Sequence, residues 1–177
     1  RTFYDDGMLS LAKTPGAATK SFGRSQTMKG KLIRVCVVAN DAAETMRDFN
    51  DLFGVEFYGP FDDEHVKLKV ALPRSGGMEV SSPTAADDPI GFSQYLAANG
   101  EGIKGIALRV DNIQEAMDEL KAKGVELGVY FEHNLMKECI IPPQPKTHNI
   151  EVALNEFPDE DPVGQAVARD MGIDLYA

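Results

Sequence analysis

The chain has 177 residues, 43% of them hydrophobic, no tryptophan, and a formal net charge of −10 at neutral pH. That length fits one compact domain, or two half-domain modules that share a core. There is no apolar run near the roughly 18 residues a membrane span needs, and the excess of acid over base argues against a phosphate-neutralising nucleic-acid surface.

Residues 1–30 form a basic, Ser/Thr/Ala/Gly-rich segment in which Arg1, Lys13, Lys20, Arg24 and Lys29 face only Asp5 and Asp6. It reads as an N-terminal arm or a processed leader, with a chloroplast or mitochondrial destination as one reading of the latter. From residue 31 the elements become legible. Leu32–Val38 is an apolar strand. Asp41 with Glu44 marks a helix start, and Ala42, Met46, Phe49 and Phe53 recur at helical spacing, so one stripe should lie on a sheet. Strands are predicted over Val55–Tyr58, His65–Leu72 and Gly77–Ser81, separated by Gly-Pro and Pro-Arg-Ser-Gly-Gly turns. A linking helix follows over 87–99. Strand Ile103–Val110 then leads to a second helix opened by Asn112 with Glu115, and to strands Val125–Tyr130, Lys137–Ile141 and Asn149–Asn155. Residues 157–177 make an acidic tail with a short helix over Val163–Met171. Cys36 and Cys139 form no CxxC pair and no disulfide framework, so an intracellular, reducing compartment is expected.

The order repeats. At an offset of seventy-one, Glu44 falls on Glu115 and Met46 on Met117; Gly-Val-Glu-Phe at 54–57 then falls on Gly-Val-Glu-Leu at 124–127. The fold class is therefore α+β, with two βαβββ modules, 31–82 and 103–156, in one domain over 31–156 that curves a mixed sheet around a cavity. Strand alternation turns Arg34, Cys36 and Val38 toward the cavity, with Gly105, Ala107 and Arg109. Glu79 shares a face with Ser81, and Glu151 with Ala153 and Asn155. Lys104 should then point outward into solvent.

The repeated strand-helix-strand order, the link DDPIGFSQYLAANGEGI and the following ALRVDNIQEAMDELKAKGVEL resemble the vicinal oxygen chelate (glyoxalase/bleomycin-resistance/dioxygenase) superfamily, and most closely the methylmalonyl-CoA epimerases. The resemblance covers about residues 31–156. It implies a divalent metal with one ligand on each of four strands, typically His, Glu or Gln, His and Glu. Those positions fall here on Arg34, Glu79, Gly105 and either Ala153 or, two residues away, Glu151. Arginine stays protonated and glycine has no side chain, so a degenerate site holding no metal and no other cofactor is expected. Relatives with two such modules often pair as homodimers, which is carried over as an expectation.

For the site this leaves Glu79, Glu151 and His65 as candidate acid/base residues, and Arg34, Arg109 and Ser81 as candidate binders of an anionic small molecule. His65 lies near where the epimerases carry an acid/base glutamate. An internal Arg34–Glu79 ion pair is the alternative for those two, and plain exposure the alternative for His65. Cys36, among valines, reads as an inert core thiol, and His133 and His148 match no metal spacing. The preferred function is a glyoxalase-fold protein that has lost its metal and acts as a ligand-binding or assembly subunit, with residues 1–30 and 157–177 as contact segments. The alternatives are a metal-free isomerase, epimerase or lyase acting on an anionic acid or CoA thioester, and a divalent-metal epimerase or glyoxalase.

Overall fold

The structure is a computed structural model and describes residues 28–133 and 136–157. Most of segment 1–30, the acidic tail and the expected helix over 163–171 lie outside the described residues.

Each half of the chain lays down a strand, a helix and three more strands. The first gives β1 Lys31–Val38, α1 Ala42–Phe53, β2 Phe57–Asp63, β3 Leu68–Pro73 and β4 Gly77–Pro83. After the linking helix α2, Phe92–Asn99, the second gives β5 Gly102–Arg109, α3 Ile113–Ala122, β6 Tyr130–His133, β7 Met136–Ile141 and β8 Glu151–Glu156. The two helix starts behave as read. Asp41 accepts hydrogen bonds from the amides of Ala43 and Glu44, and Asn112 from that of Glu115, satisfying donors that the first turn leaves orphaned. α1 stops at Gly54, whose left-handed φ of 68° a side chain would resist.

The eight strands form one sheet in the order β2-β3-β4-β1-β5-β8-β7-β6. Antiparallel β1 and β5 join the modules at the centre, and each has a parallel neighbour, β4 for β1 and β8 for β5. α1 packs Met46 with Val37, Ala71 and Val80, while α3 packs Ile113, Ala116 and Met117 against Leu154, Cys139 and Ile141. Both helices therefore cover one face of the sheet. On the other face, Val66, Leu68, Val70 and Leu72 of the β3 wing meet Met136 and Phe131 of the β7–β6 wing, with Phe92 and Ile90 of the linker between them. The sheet thus curls until its wings share a core.

Several element limits differ from the sequence reading. β2 begins later and runs through the cis Gly59–Pro60 peptide, so Gly-Pro makes an irregularity within an edge strand instead of ending it. β3 starts at Leu68 because the Asp63 carboxylate accepts from the amides of His65 and Val66, holding them in a turn that Lys67 closes at φ 56°. The linking helix begins only at Phe92, since Pro89 and the left-handed Gly91 break the chain before it. Residues 125–129 form no regular strand, although Gly128 and Val129 still bond Ile140. Asn149, at φ 62°, belongs to the turn before β8. No helix among the described residues is long and apolar enough to cross a membrane.

Candidate functional site

The chemistry-bearing side chains gather on the concave face. Arg34 rises from β1 with only 6% of its surface exposed, and its Nε lies 2.7 Å from Glu79 Oε2 on β4. Ser81, fully buried two residues along the same strand, donates to Glu79 Oε1 at 2.9 Å. Both oxygens of Glu79 are therefore engaged. Burial is the largest influence and works against the Arg34 charge, but Glu79, Cys36 and Glu138 together outweigh it and the guanidinium stays ionised.

A third charged group, which the sequence reading missed, faces this pair. Glu138 of β7 is buried, with Oε2 3.9 Å from Arg34 Nη2, too far for a hydrogen bond. Burial pushes its carboxyl up to about 7, Arg34 pulls the other way, and Glu79 adds to the rise. Asn155 of β8, its cross-strand neighbour, is completely buried, and its side-chain amide, facing Glu138, favours the charged form of that carboxyl. Arg34 Nη1 has no hydrogen-bond partner. A cavity of about 40 Å³ opens beside these groups, lined by Arg34, Asp63, Glu79 and Glu138 on its polar side and by Val70, Ile90 and Phe131 among its apolar walls. A larger groove of about 570 Å³ lies on the helix side, between α1 and β2.

The repeat carried a signal for Glu138. Leu-Lys-Val-Ala-Leu-Pro at 68–73 superposes on Met-Lys-Glu-Cys-Ile-Ile at 136–141, and the two strands share one burial pattern. Glu138 stands where module one has the inward Val70, and Asn155 where it has Ser81.

The other candidates are dispersed. Glu151 is paired with Lys104, not with Arg34. Lys104 is itself buried, with Nζ 4.8 Å from the centre of the Phe92 ring. This corrects the expectation of a solvated lysine: the β1–β5 register slips between Cys36 and Val37, and such a bulge resets the alternation beyond it. Arg109 is half-buried at its strand end, where Nη2 donates to the Phe157 carbonyl at 3.3 Å. His65 is exposed on the turn after β2, its ring 5.7 Å from that of Phe131 at the cavity rim. Cys36 is an apolar-packed thiol pushed up to about 12, by burial first and then by Glu79.

The register also fixes which residues correspond between the modules. Cys36 pairs with Glu79 across β1–β4 and Ala107 with Ala153 across β5–β8, so Glu79 corresponds to Ala153, while Arg34 corresponds to Gly105. Gly105 is closely hemmed: a Cβ added there would lie 2.5 Å from the Glu151 carbonyl oxygen.

Residues 34–137, more than half of the chain, match the sequence profile of a family described as the Glyoxalase/Bleomycin resistance protein/Dioxygenase superfamily. The chain belongs to that superfamily. A comparison with curated protein sequences gives no match. Solved structures of this glyoxalase-like fold include a methylmalonyl-CoA epimerase from Streptomyces coelicolor in complex with 2-nitronate-propionyl-CoA, with a TM-score of 0.64 at 18% identity, covering 74% of this chain and 100% of that one. The methylmalonyl-CoA epimerase from Mycobacterium tuberculosis gives 0.65 at 17% identity, covering 79% and 95%. A hypothetical protein from Bacillus halodurans gives 0.65 at 17%, covering 75% and 98%. At these identities the likeness concerns the fold.

Proposed function

We propose that this member of the glyoxalase superfamily does not use the superfamily's metal centre and acts as a ligand-binding or assembly subunit. The observation that carries the reading is the Arg34–Glu79 ion pair at 2.7 Å, which commits the two module-one metal positions to each other. The module-two positions fall on Gly105 and Ala153, neither of which offers a donor. One carboxylate does not fit a divalent ion that takes several protein N or O ligands. Among the described residues, no group of three or more His, Cys, Asp or Glu is arranged to hold a metal. A metal here would supply Lewis-acid polarisation of a chelating substrate; no residue of this site is arranged to present one.

What remains is a small, charged recess with one cation, Arg34, and three carboxylates, Asp63, Glu79 and Glu138. Its volume of about 40 Å³ has room for only a few non-hydrogen atoms. On the outer face Leu32 and Ile103, more than half exposed on the two central strands, offer apolar surface for a second copy of the chain. The reading extends to residues 1–30 and 157–177 as contact segments for a larger assembly.

A second reading, a metal-free isomerase or lyase, has one observation in its favour: two acids, Glu79 and Glu138, flank Arg34, and the second titrates at about 7, where an acid/base group works best. Elemental analysis of the natively purified protein, combined with native mass spectrometry, tests the proposal. Expected are less than stoichiometric transition metal and a mass above that of one chain. About one Zn, Mn, Co, Fe or Ni per chain would overturn it.

A further inference from the structure

The two central strands carry an apolar strip on the outer face. α1 lies on β2, β3 and β4, and α3 on β7 and β8, so the middle of that face is left between them. The two register slips of the β1–β5 ladder leave Ile33 and Lys104 unpaired, at equivalent places in the two modules, with the same offset as Glu44 and Glu115. Both residues turn inward, Ile33 onto the concave core and Lys104 against the Phe92 ring. A bulge resets the alternation of its strand. Leu32 and Ile103 are therefore turned outward, where they are 58% and 65% exposed. Directly opposed residues share a face, and three cross-strand pairs result: Leu32 with Leu108, Val35 with Ile106 and Val37 with Ile103. All six side chains are aliphatic, and none is buried although they occupy the centre of the sheet. The repeat maps Leu32 on Ile103, Val35 on Ile106 and Val37 on Leu108. The strip thus has a pseudo-two-fold axis of its own, normal to the sheet through the Val35–Ile106 pair.

An isologous dimer sets one patch against itself. A foreign partner would have no reason to share the symmetry of the strip, whereas a second copy has it by construction. Two axes in the plane of contact could relate the copies, and the charges at the ends of the ladder choose between them. At one end exposed Lys31 pairs with Arg109. At the other the Glu101 carboxylate reaches across to accept from the Asn40 amide at 2.7 Å, next to exposed Asp41. A half-turn about an axis along the strands would set Lys31 over the Arg109 of the second copy. A half-turn about an axis across them sets Lys31 over the Glu101 of the second copy, twice in each dimer. We propose that two copies of the chain pack outer face on outer face through this strip, about a two-fold axis running across β1 and β5. Six side chains fall short of the roughly 800 Å² per partner that a stable dimer buries, so the flanking helices contribute the rest. The proposal rests on the assembly reading above and names the partner that reading leaves open.

Sedimentation equilibrium of the whole chain, natively purified, is the test. The parent should be a dimer. Ile103→Asp, at an exposed position, should keep the fold by its amide NMR spectrum and raise the dissociation constant at least about a hundredfold, because each dimer then encloses two unpaired charges. Lys31→Glu and Glu101→Lys should each weaken the dimer about tenfold, and the double substitution should restore it. A monomeric parent, or a dimer indifferent to Ile103→Asp, would overturn the inference. A dimer that Lys31→Glu tightens would put the axis along the strands and overturn the geometry stated. A monomer whose Leu32 and Ile103 resonances shift when residues 1–27 are removed would show the strip covered by the chain's own leading segment, and the second copy would be wrong. A complex with a different protein that Ile103→Asp dissolves would also overturn the second copy, while keeping the assembly reading. A dimer carrying about one transition metal per chain would leave this inference standing and overturn the non-chelating reading alone.

Discussion

Replacing Glu138 by glutamine should change not only how stable the protein is but how its stability depends on pH. The folded carboxyl titrates at about 7, against an ordinary value of 4.5, chiefly because burial disfavours its charge. Between those two values the folded chain keeps a proton that the unfolded chain has released. Stability contributed by the protonated group is therefore complete below the unfolded value and is lost as pH rises through the folded one. Over the whole window the loss is about 3 kcal/mol. Glutamine keeps the size and cannot ionise, so Glu138→Gln should lack this loss and exceed the parent by up to about 3 kcal/mol near pH 8 while matching it near pH 4. Urea unfolding of both proteins across that range, with the two stabilities subtracted at each pH, isolates the group from every other titration. A flat difference, or one that favours the parent as pH rises, would mean that Glu138 is ionised and well paired in the fold, and the desolvation argument would be wrong.

Arg34→Met strands the Glu79 carboxylate in a desolvated setting and should cost about 3–5 kcal/mol near neutral pH. The double substitution Arg34→Met/Glu79→Gln should recover most of that loss, and the single variant should recover part of it on acidification because the stranded acid then protonates; denaturant melts at two pH values decide both. Gly105→Ala pushes a methyl toward the Glu151 carbonyl at 2.5 Å and should cost about 3 kcal/mol or more, read as a lowered Tm. Asp88→Ala removes the acceptor for the Phe92 and Ser93 amides that hold the start of α2, costing about 1–2 kcal/mol by the same assay. Added Zn²⁺ or Co²⁺ should leave Tm unchanged, since only an ion that binds the folded state raises it.

Much of this architecture can be read from the residues because it is local. Asp41 and Asn112 cap their helices through side chains two or three residues away, and the inward set of Arg34, Glu79 and Ser81 follows from strand alternation alone. What escaped depends on register. Lys104 turns inward because of a slip against β1 that no property of its own segment announces. Glu138 is an acid in a strand otherwise as apolar as its counterpart, and becomes conspicuous only when the two modules are laid over each other. The strand expected over 125–130 fails in its first five residues, where the Gly128 amide reaches Ile140 at a spacing that leaves no room for a Cβ. Parity groups Glu151 with the cavity residues, yet its ion pair with Lys104 belongs to the seam beneath the linking helix.

The close approach at Gly105 sets a limit on redesign. The carbonyl of Glu151 occupies the direction in which any side chain at position 105 would have to leave the backbone. Writing a histidine there would force β5 and β8 apart before an imidazole could reach the cavity, and a second donor in place of Ala153 would still be needed on the very strand being displaced. Converting this protein into a chelating one is therefore a problem of strand spacing first and of ligand choice second.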